Sequence, residues 1–535
     1  MKQLLAGSLV ATALIVVGLL PGSARATPLD CSEPTALCTE PLDSIGYGGE
    51  YTGHDEPSLL FYSNTPGSGN TNFYRLQLPT DPNVMPNQSG TAGTWNFQLH
   101  PAFWLGMALC DNQSAPEFTH AACVPDSDAN IFDGTNPAGA DYIGKHPGTA
   151  FLEVQFYPPG WAPWPPGVSC DATKWCAAMA IFSLMQDQNA GVLNNADCRS
   201  SVGDEPANFA FITKSGAPHA PPAPLDQTLA TFTPSAATDL FMGSGDRLTV
   251  DIHDGAAGLA VIVKDLTTGQ TGSMTASAAN GFKQTLFEPG SATCHDAPYS
   301  FRPMYATSSE HTRVPWAAHS YNVAFSDEIG HFEYCSSVAS EGGECLSNGE
   351  PALDGDDDGC FSDAFTTLVP IGGCIATDND FDGVSYQKVW PGTGPNRGQD
   401  AKYHSSSIVF TSPLFNATEN YSRVAFEADL PRIEAADFGG NCDRFTGTNC
   451  VNPPPGANFY PIYSTGTSTQ NPNPKGHCVW QLGGTNIKGT TNTFGGNSTA
   501  EFGPLLFSFY PSPVVAARTR TNNFRNVLSS NPCPG

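Results

Sequence analysis

Short runs of alternating apolar and polar residues, each cut off within a few positions by glycine or proline, constrain this chain more than any other feature. The sequence holds 54 Gly and 46 Pro among 535 residues, close to a fifth of all positions. Gly costs backbone entropy in regular elements, and Pro removes a donor and clashes with the preceding helical turn. Helical bundles and coiled coils are thereby excluded. A disordered chain is excluded too, because 32 Phe, 16 Tyr and 8 Trp supply ample apolar area for a core.

The alternation is clearest over 151–157, where Leu152, Val154 and Phe156 point one way and Glu153, Gln155 and Tyr157 the other, before Pro158 and Pro159 end the run. One face of that strand belongs to a core, and the polar face is expected to line a groove. Leu248, Val250 and Ile252 alternate with Thr249, Asp251 and His253 in the same way. A hairpin follows, with 259–265 returning through Thr267, Thr268 and Gly269 towards 272–274. Further strands are expected at 95–99, 178–184, 209–213, 321–325, 408–411, 423–430, 479–482 and 505–510. The fold class that follows is all-β.

Lys2, an apolar run over 4–20, the Pro21-Gly22 break and the small residues Ala24 and Ala26 read as a secretory signal over 1–26. The protein is therefore expected to be secreted and extracellular. All 16 cysteines follow that segment, and an even number in an oxidising compartment predicts disulfides. Close spacings such as Cys110/Cys123, Cys170/Cys176 and Cys360/Cys374 suggest loop-closing bridges, although spacing leaves the connectivity open. A larger β domain is expected over 27–335, a Cys- and Asp-rich segment over 336–385, and a β-rich domain or extension over 386–535.

Acidic residues number 51 against 23 basic ones, for a formal charge of −28. Such a balance opposes nucleic-acid binding, which depends on cations releasing phosphate counterions. No apolar stretch after residue 26 is long enough to span a membrane as a helix. Zinc-ribbon, zincin, P-loop and nucleophile-elbow motifs are absent from the sequence.

Two acidic loops carry the strongest motif signal. Asp354, Asp356 and Asp358 precede Gly359, and Asp378, Asp380 and Asp382 precede Gly383. Alternate carboxylates converge on one cation when a glycine allows the loop to turn, so Ca²⁺ is the expected ligand. Phe365 and Val389 stand where an EF-hand has its bidentate Glu. The loops resemble the aspartate-rich calcium loops of thrombospondin type 3 repeats. The alternative is a solvated acidic turn stapled by Cys360 and Cys374.

Glu328 and Glu333 form a second constellation. An odd separation puts them on opposite strand faces unless a bulge brings them to one groove. Retaining glycosidases need two carboxyl groups about 5 to 5.5 Å apart. The segment resembles the E-x-D-x-x-E motif of laminarinase-type family 16 glycoside hydrolases, with Gly330 where that family has its central Asp. The resemblance implies a concanavalin A-like jelly roll with Glu328 as nucleophile and Glu333 as acid/base. The order of Glu153 to Pro158, Gly245 to Val250, and Val261 to Thr271 is also similar to the central strands of the eqolisin (glutamic) peptidases. That family has the same sandwich and a Gln–Glu dyad, but its catalytic Glu segment has no counterpart here.

Tyr157, Trp161 and Trp164 sit among prolines and would give sugar rings a stacking platform, or form a rigid loop closing one end of the sandwich. Glu153, Gln155 and His331 complete the expected substrate-binding set. The function expected is that of a secreted carbohydrate-active protein, with a glycoside hydrolase as its catalytic form, acting on a polysaccharide or cell-surface glycan. The alternatives are a non-catalytic, calcium-dependent binding protein and an acid peptidase.

Overall fold

The computed structural model describes residues 45–47, 51–53, 58–62, 69–78, 80, 103–114, 149–157, 159, 170–171, 173–187, 192–303, 306–308, 311–320, 408–412, 414–415, 419–420, 423–428, 463–468, 477–482, 505–510, 518–528 and 530–533. These residues are mostly antiparallel strands, gathered chiefly into two large sheets. All-β holds.

In the first sheet the strands follow the order Ala207–Phe211, Lys174–Ser183, Thr149–Tyr157, Phe103–Cys110, His311–Ser320, Ser58–Tyr62, Arg423–Ala428, Arg518–Leu528 and Leu505–Tyr510. The second runs Thr271–Ala276, Gly258–Asp265, Arg247–Gly255, Gly69–Gln77, Val409–Phe410, Cys478–Leu482 and Tyr463–Thr467. Each sheet therefore joins a block of strands from before residue 335 to a block from after residue 386. Ser58–Tyr62 pairs with both His311–Ser320 and Arg423–Ala428, and Gly69–Gln77 pairs with Arg247–Gly255 and Val409–Phe410.

One hydrophobic cluster draws on both sheets. Leu152, Val154 and Phe156 from the first meet Leu248, Val250 and Ile252 from the second, all at most 1% exposed. These are the apolar positions that period-two alternation assigns to a core, and each buried side chain contributes on the order of 1.5–3 kcal/mol. Aromatic pairs join segments that are far apart in the chain: Phe61 meets Trp480 edge-on at 6.3 Å, and Tyr74 stacks on Phe410 at 5.2 Å.

Three disulfides join pairs of described residues, and Cys110 is disulfide-bonded as well. Cys170–Cys176 is the short bridge that spacing suggested. Cys198–Cys294 and Cys478–Cys533 span 96 and 55 residues, distances at which sequence spacing carries no pairing signal. Cys198 lies in the short helix Ala196–Val202, whose N-cap Asn195 accepts from the Cys198 amide. The expected strands at 95–99 and 321–325 lie outside the described residues.

Candidate functional site

The alternation over 149–157 places Glu153, Gln155 and Tyr157 on the face of the first sheet turned away from the shared core. They form one hydrogen-bonded row. The Tyr157 hydroxyl donates to Gln155 Oε1 at 2.5 Å, and Gln155 Nε2 donates to the Glu153 carboxylate. Tyr157 and Gln155 are buried, at 4% and 5% exposure, whereas Glu153 is half-buried. Burial, with the Glu153 charge nearby, holds the Tyr157 phenol well above its usual range. The phenol therefore stays protonated and donates to Gln155 throughout the working pH range. That fixes the amide with its NH₂ towards Glu153, so the carboxylate is oriented from behind by two groups that solvent does not reach.

The neighbouring strand completes the surface. Trp104, Gly106 and Ala108 pair with Gln155, Glu153 and Phe151 respectively. Trp104 is 1% exposed and meets Phe151 edge-on at 5.7 Å. Gly106 lies beneath this pair: a Cβ there would stand 2.8 Å from the Phe151 ring, 2.9 Å from the Trp104 ring and 2.4 Å from the Leu152 carbonyl oxygen. Only glycine lets the two rings close over the backbone. The result is a half-buried aromatic ring, Phe151, two positions from a half-buried carboxylate, Glu153, both on one strand face.

Towards the sheet edge the same face is covered. Tyr157 meets Phe209 and Phe211 edge-on, and Phe209 packs against Phe232 at 5.2 Å. Phe232 belongs to the 3₁₀ turn Leu229–Phe232, part of an excursion over 214–241 that separates Ala207–Phe211 from Met242–Gly243. The Cys170–Cys176 bridge packs into this aromatic cluster.

Of the residues singled out in the sequence, the structure brings Glu153, Gln155 and Tyr157 together, with Gln155 and Tyr157 as buried supports rather than groove walls. Glu328, Glu333, His331, Trp161 and Trp164 lie outside the described residues. So do Asp354, Asp356, Asp358, Asp378, Asp380 and Asp382. Among the described residues no cluster of His, Cys, Asp and Glu is arranged to hold a metal. The sequence reading missed Trp104, Gly106 and Phe151. The signal that would have found them is the glycine inside the apolar run Phe103–Cys110, a mark of close approach.

No protein-family model matches this sequence, and no curated protein matches it.

Proposed function

We propose that the chain is a secreted carbohydrate-active protein built on a concanavalin A-like jelly-roll sandwich, with its glycan site on the outer face of the first sheet. The observation that carries the reading is the juxtaposition of Phe151 and Glu153. A sugar ring offers an apolar face to an aromatic ring and hydroxyl donors at its edge to a carboxylate. Trp104 and Gly106 fix the first group from below, and the Gln155–Tyr157 row fixes the second. In the hydrolase form of the proposal, Glu328 attacks the anomeric carbon while Glu333 protonates the departing oxygen; water then cleaves the glycosyl-enzyme. The acidic loops at Asp354–Asp358 and Asp378–Asp382 bind Ca²⁺ in this reading.

The Gln155–Glu153 contact favours a second reading, an acid peptidase with a Gln–Glu pair. Gln155 is 5% exposed and its amide is already engaged at both ends, which leaves no approach for a substrate carbonyl. The glycan reading accounts for the same burial without such an approach.

Affinity electrophoresis in a panel of soluble glycans tests the site. Phe151→Ala and Glu153→Gln should each weaken binding about tenfold or more, with the disulfides and far-UV spectrum intact. Wild-type affinity in both variants would overturn it. A reducing-end assay on the glycan that binds, with Glu328→Gln and Glu333→Gln, tests the hydrolase form; unaltered release in both would leave binding alone. Cleavage of an unfolded protein at acid pH that Glu153→Gln abolishes would instead establish the peptidase.

A further inference from the structure

A carboxylate, an imidazole and a hydroxyl stand in line on the loop that joins the paired strands Lys283–Thr285 and Asp296–Pro298. His295 Nδ1 lies 2.6 Å from Glu288 Oε2, and its Nε2 lies 2.9 Å from Thr293 Oγ1. All three reach solvent: the His295 and Glu288 side chains are 52% and 40% exposed, and Thr293 is exposed. A charge pair so open adds little to stability, so holding the fold does not account for the alignment.

The backbone beneath the three side chains is fastened at each of them. Glu288 opens a turn through Pro289 and Gly290 that closes where the Ser291 amide donates to the Glu288 carbonyl at 2.9 Å. The Glu288 amide donates to Asn194 Oδ1 at 2.9 Å, and its carbonyl also accepts from Asn195 Nδ2 at 3.1 Å; both asparagines are buried. The Ser291 hydroxyl accepts from the Thr293 amide at 3.1 Å and donates to the Thr293 carbonyl at 2.7 Å. Cys294 is bridged to Cys198, and its amide donates to Asp197 at 2.8 Å. The His295 carbonyl accepts from the Leu286 amide at 2.9 Å. Three reactive groups are thus presented to solvent on a frame held from below.

A nucleophile within hydrogen-bond reach of a base that a third group orients is the arrangement of covalent catalysis. The Glu288 carboxylate keeps a hydrogen on Nδ1, so the neutral ring turns its Nε2 lone pair to the Thr293 hydroxyl. We propose that Thr293 is a nucleophile that takes an acyl group from an activated ester, with His295 as its base and Glu288 as the positioning residue. Thr293 Oγ1 bonds to the ester carbonyl carbon as its proton passes to His295 Nε2. The adduct collapses as the bond from that carbon to the leaving oxygen breaks; the leaving group departs as a stabilised anion such as a phenolate, and His295 gives its proton to solvent. Water then attacks the Thr293 ester, His295 takes a proton from it and returns one to Thr293 Oγ1, and the carboxylic acid is released. The Thr293 and Cys294 amides are already engaged by Ser291 and Asp197, so water solvates the oxyanion, which restricts the site to esters with good leaving groups. The glycan reading is not needed for any of these steps.

The full chain treated with p-nitrophenyl acetate at about pH 8, where imidazole is in its neutral form, tests the proposal by peptide mass spectrometry. Acetyl should appear on Thr293 about a hundredfold faster than on Thr233 or Thr238, exposed hydroxyls whose described partners are a carbonyl oxygen or a carboxylate. His295→Gln should slow the labelling of Thr293 by a similar factor while the melting temperature stays unaltered. Glu288→Leu should slow it about tenfold and move the ring hydrogen of His295 from Nδ1 to Nε2 in ¹⁵N spectra, a change that a merely structural carboxylate would not produce. Thr293 labelled no faster than Thr233 and Thr238, or labelled as fast in His295→Gln as in the wild type, would overturn the proposal. Should a variant fail to fold, the wild-type comparison among the three threonines decides alone. The assay contains no glycan, so loss of the glycan reading would leave its outcome unaltered.

Discussion

Two carboxyl groups at the first sheet, Asp111 and Glu153, each accept from side-chain amides, yet the supporting groups come from opposite kinds of places. Asp111 directly follows Phe103–Cys110 and is fully buried. It accepts from Ser183 Oγ at 2.7 Å, Gln284 Nε2 at 2.5 Å and the Gln113 amide at 2.9 Å. Two of those donors are 72 and 173 residues away, so this one carboxyl ties three parts of the chain together. Glu153 takes its supporting row from residues two and four positions along its own strand. Among the described contacts that row ties nothing distant; it aims a carboxylate. Donors gathered from afar mark a group that holds the fold, and donors gathered locally mark a group that is presented for use.

The comparison breaks first at Asp111. Asp111→Ala leaves the Ser183 hydroxyl buried without its acceptor and the Gln284 amide with Asn112 alone, and should cost about 3 kcal/mol of stability; a loss below about 1 kcal/mol in denaturant titration would end the distinction. Burial raises the Asp111 carboxyl above its usual range, against the pull of its three donors. An acid whose folded value is raised costs stability when ionised. That cost is absent in acid and is fully present once pH exceeds the raised value. Asp111→Asn should therefore gain on the wild type as pH rises from the acid range, which parallel melting curves across pH would show.

The local row sharpens the contrast at intermediate size. Tyr157→Phe removes one donor and leaves Gln155 Oε1 without it, for about 1 kcal/mol. Replacing both buried members, Gln155→Leu with Tyr157→Phe, should leave stability near that of the wild type, since paired polar groups are exchanged for apolar ones of similar shape. Glycan affinity should fall in the double variant as in Glu153→Gln, because the carboxylate is no longer aimed. Lost stability with unaltered affinity would reverse the roles assigned to the two networks.

The smallest effect belongs to the outer face of the second sheet, where His253 Nδ1 lies 3.2 Å from Asp251 Oδ1, again two positions along one strand. The hydrogen bond to Asp251 raises the imidazole above its ordinary value. Its stabilising contribution is complete below that ordinary value and disappears as pH rises through the raised one. Both side chains are about a third exposed, so solvent screening keeps the contribution under about 1 kcal/mol. Asp251→Asn should lower the His253 titration midpoint in proton NMR with little change in melting temperature.

Much of the strand content was legible. The expected run over 151–157 is Thr149–Tyr157, the hairpin is Gly258–Asp265 with Thr271–Ala276, and 505–510 is matched residue for residue. The strands that escaped notice have physical reasons for doing so. Phe103–Cys110 is buried on both faces, so it shows no alternation. Gly69–Gln77 turns Asn72 into the interior, where the Thr411 hydroxyl donates to it at 3.0 Å, and a buried polar residue disrupts the apolar count. Pairings across hundreds of residues, such as Ser58–Tyr62 with Arg423–Ala428, leave no local trace at all. For the site, the alternation gave the face of Glu153, Gln155 and Tyr157 but not their burial. Burial depends on Phe209, Phe211 and Trp104 arriving from other strands.

At one side of the molecule the first sheet ends at Ala207–Phe211 and the second at Thr271–Ala276, and a single short stretch engages both. The Ile212 amide donates to Ala177 at 2.8 Å, while Thr213 exchanges backbone hydrogen bonds with Ser273 at 3.2 and 2.8 Å. The Phe209 amide, which faces outward from its edge strand, is taken by the Pro222 carbonyl at 3.0 Å. Unpaired strand edges recruit other chains, and the ones on this side are already occupied. A strand-rich protein of this kind can therefore reach high local concentration without seeding fibrils from that flank, and substitutions that detach 212–213 or 222 would turn that flank into a seed for aggregation before they impaired the core.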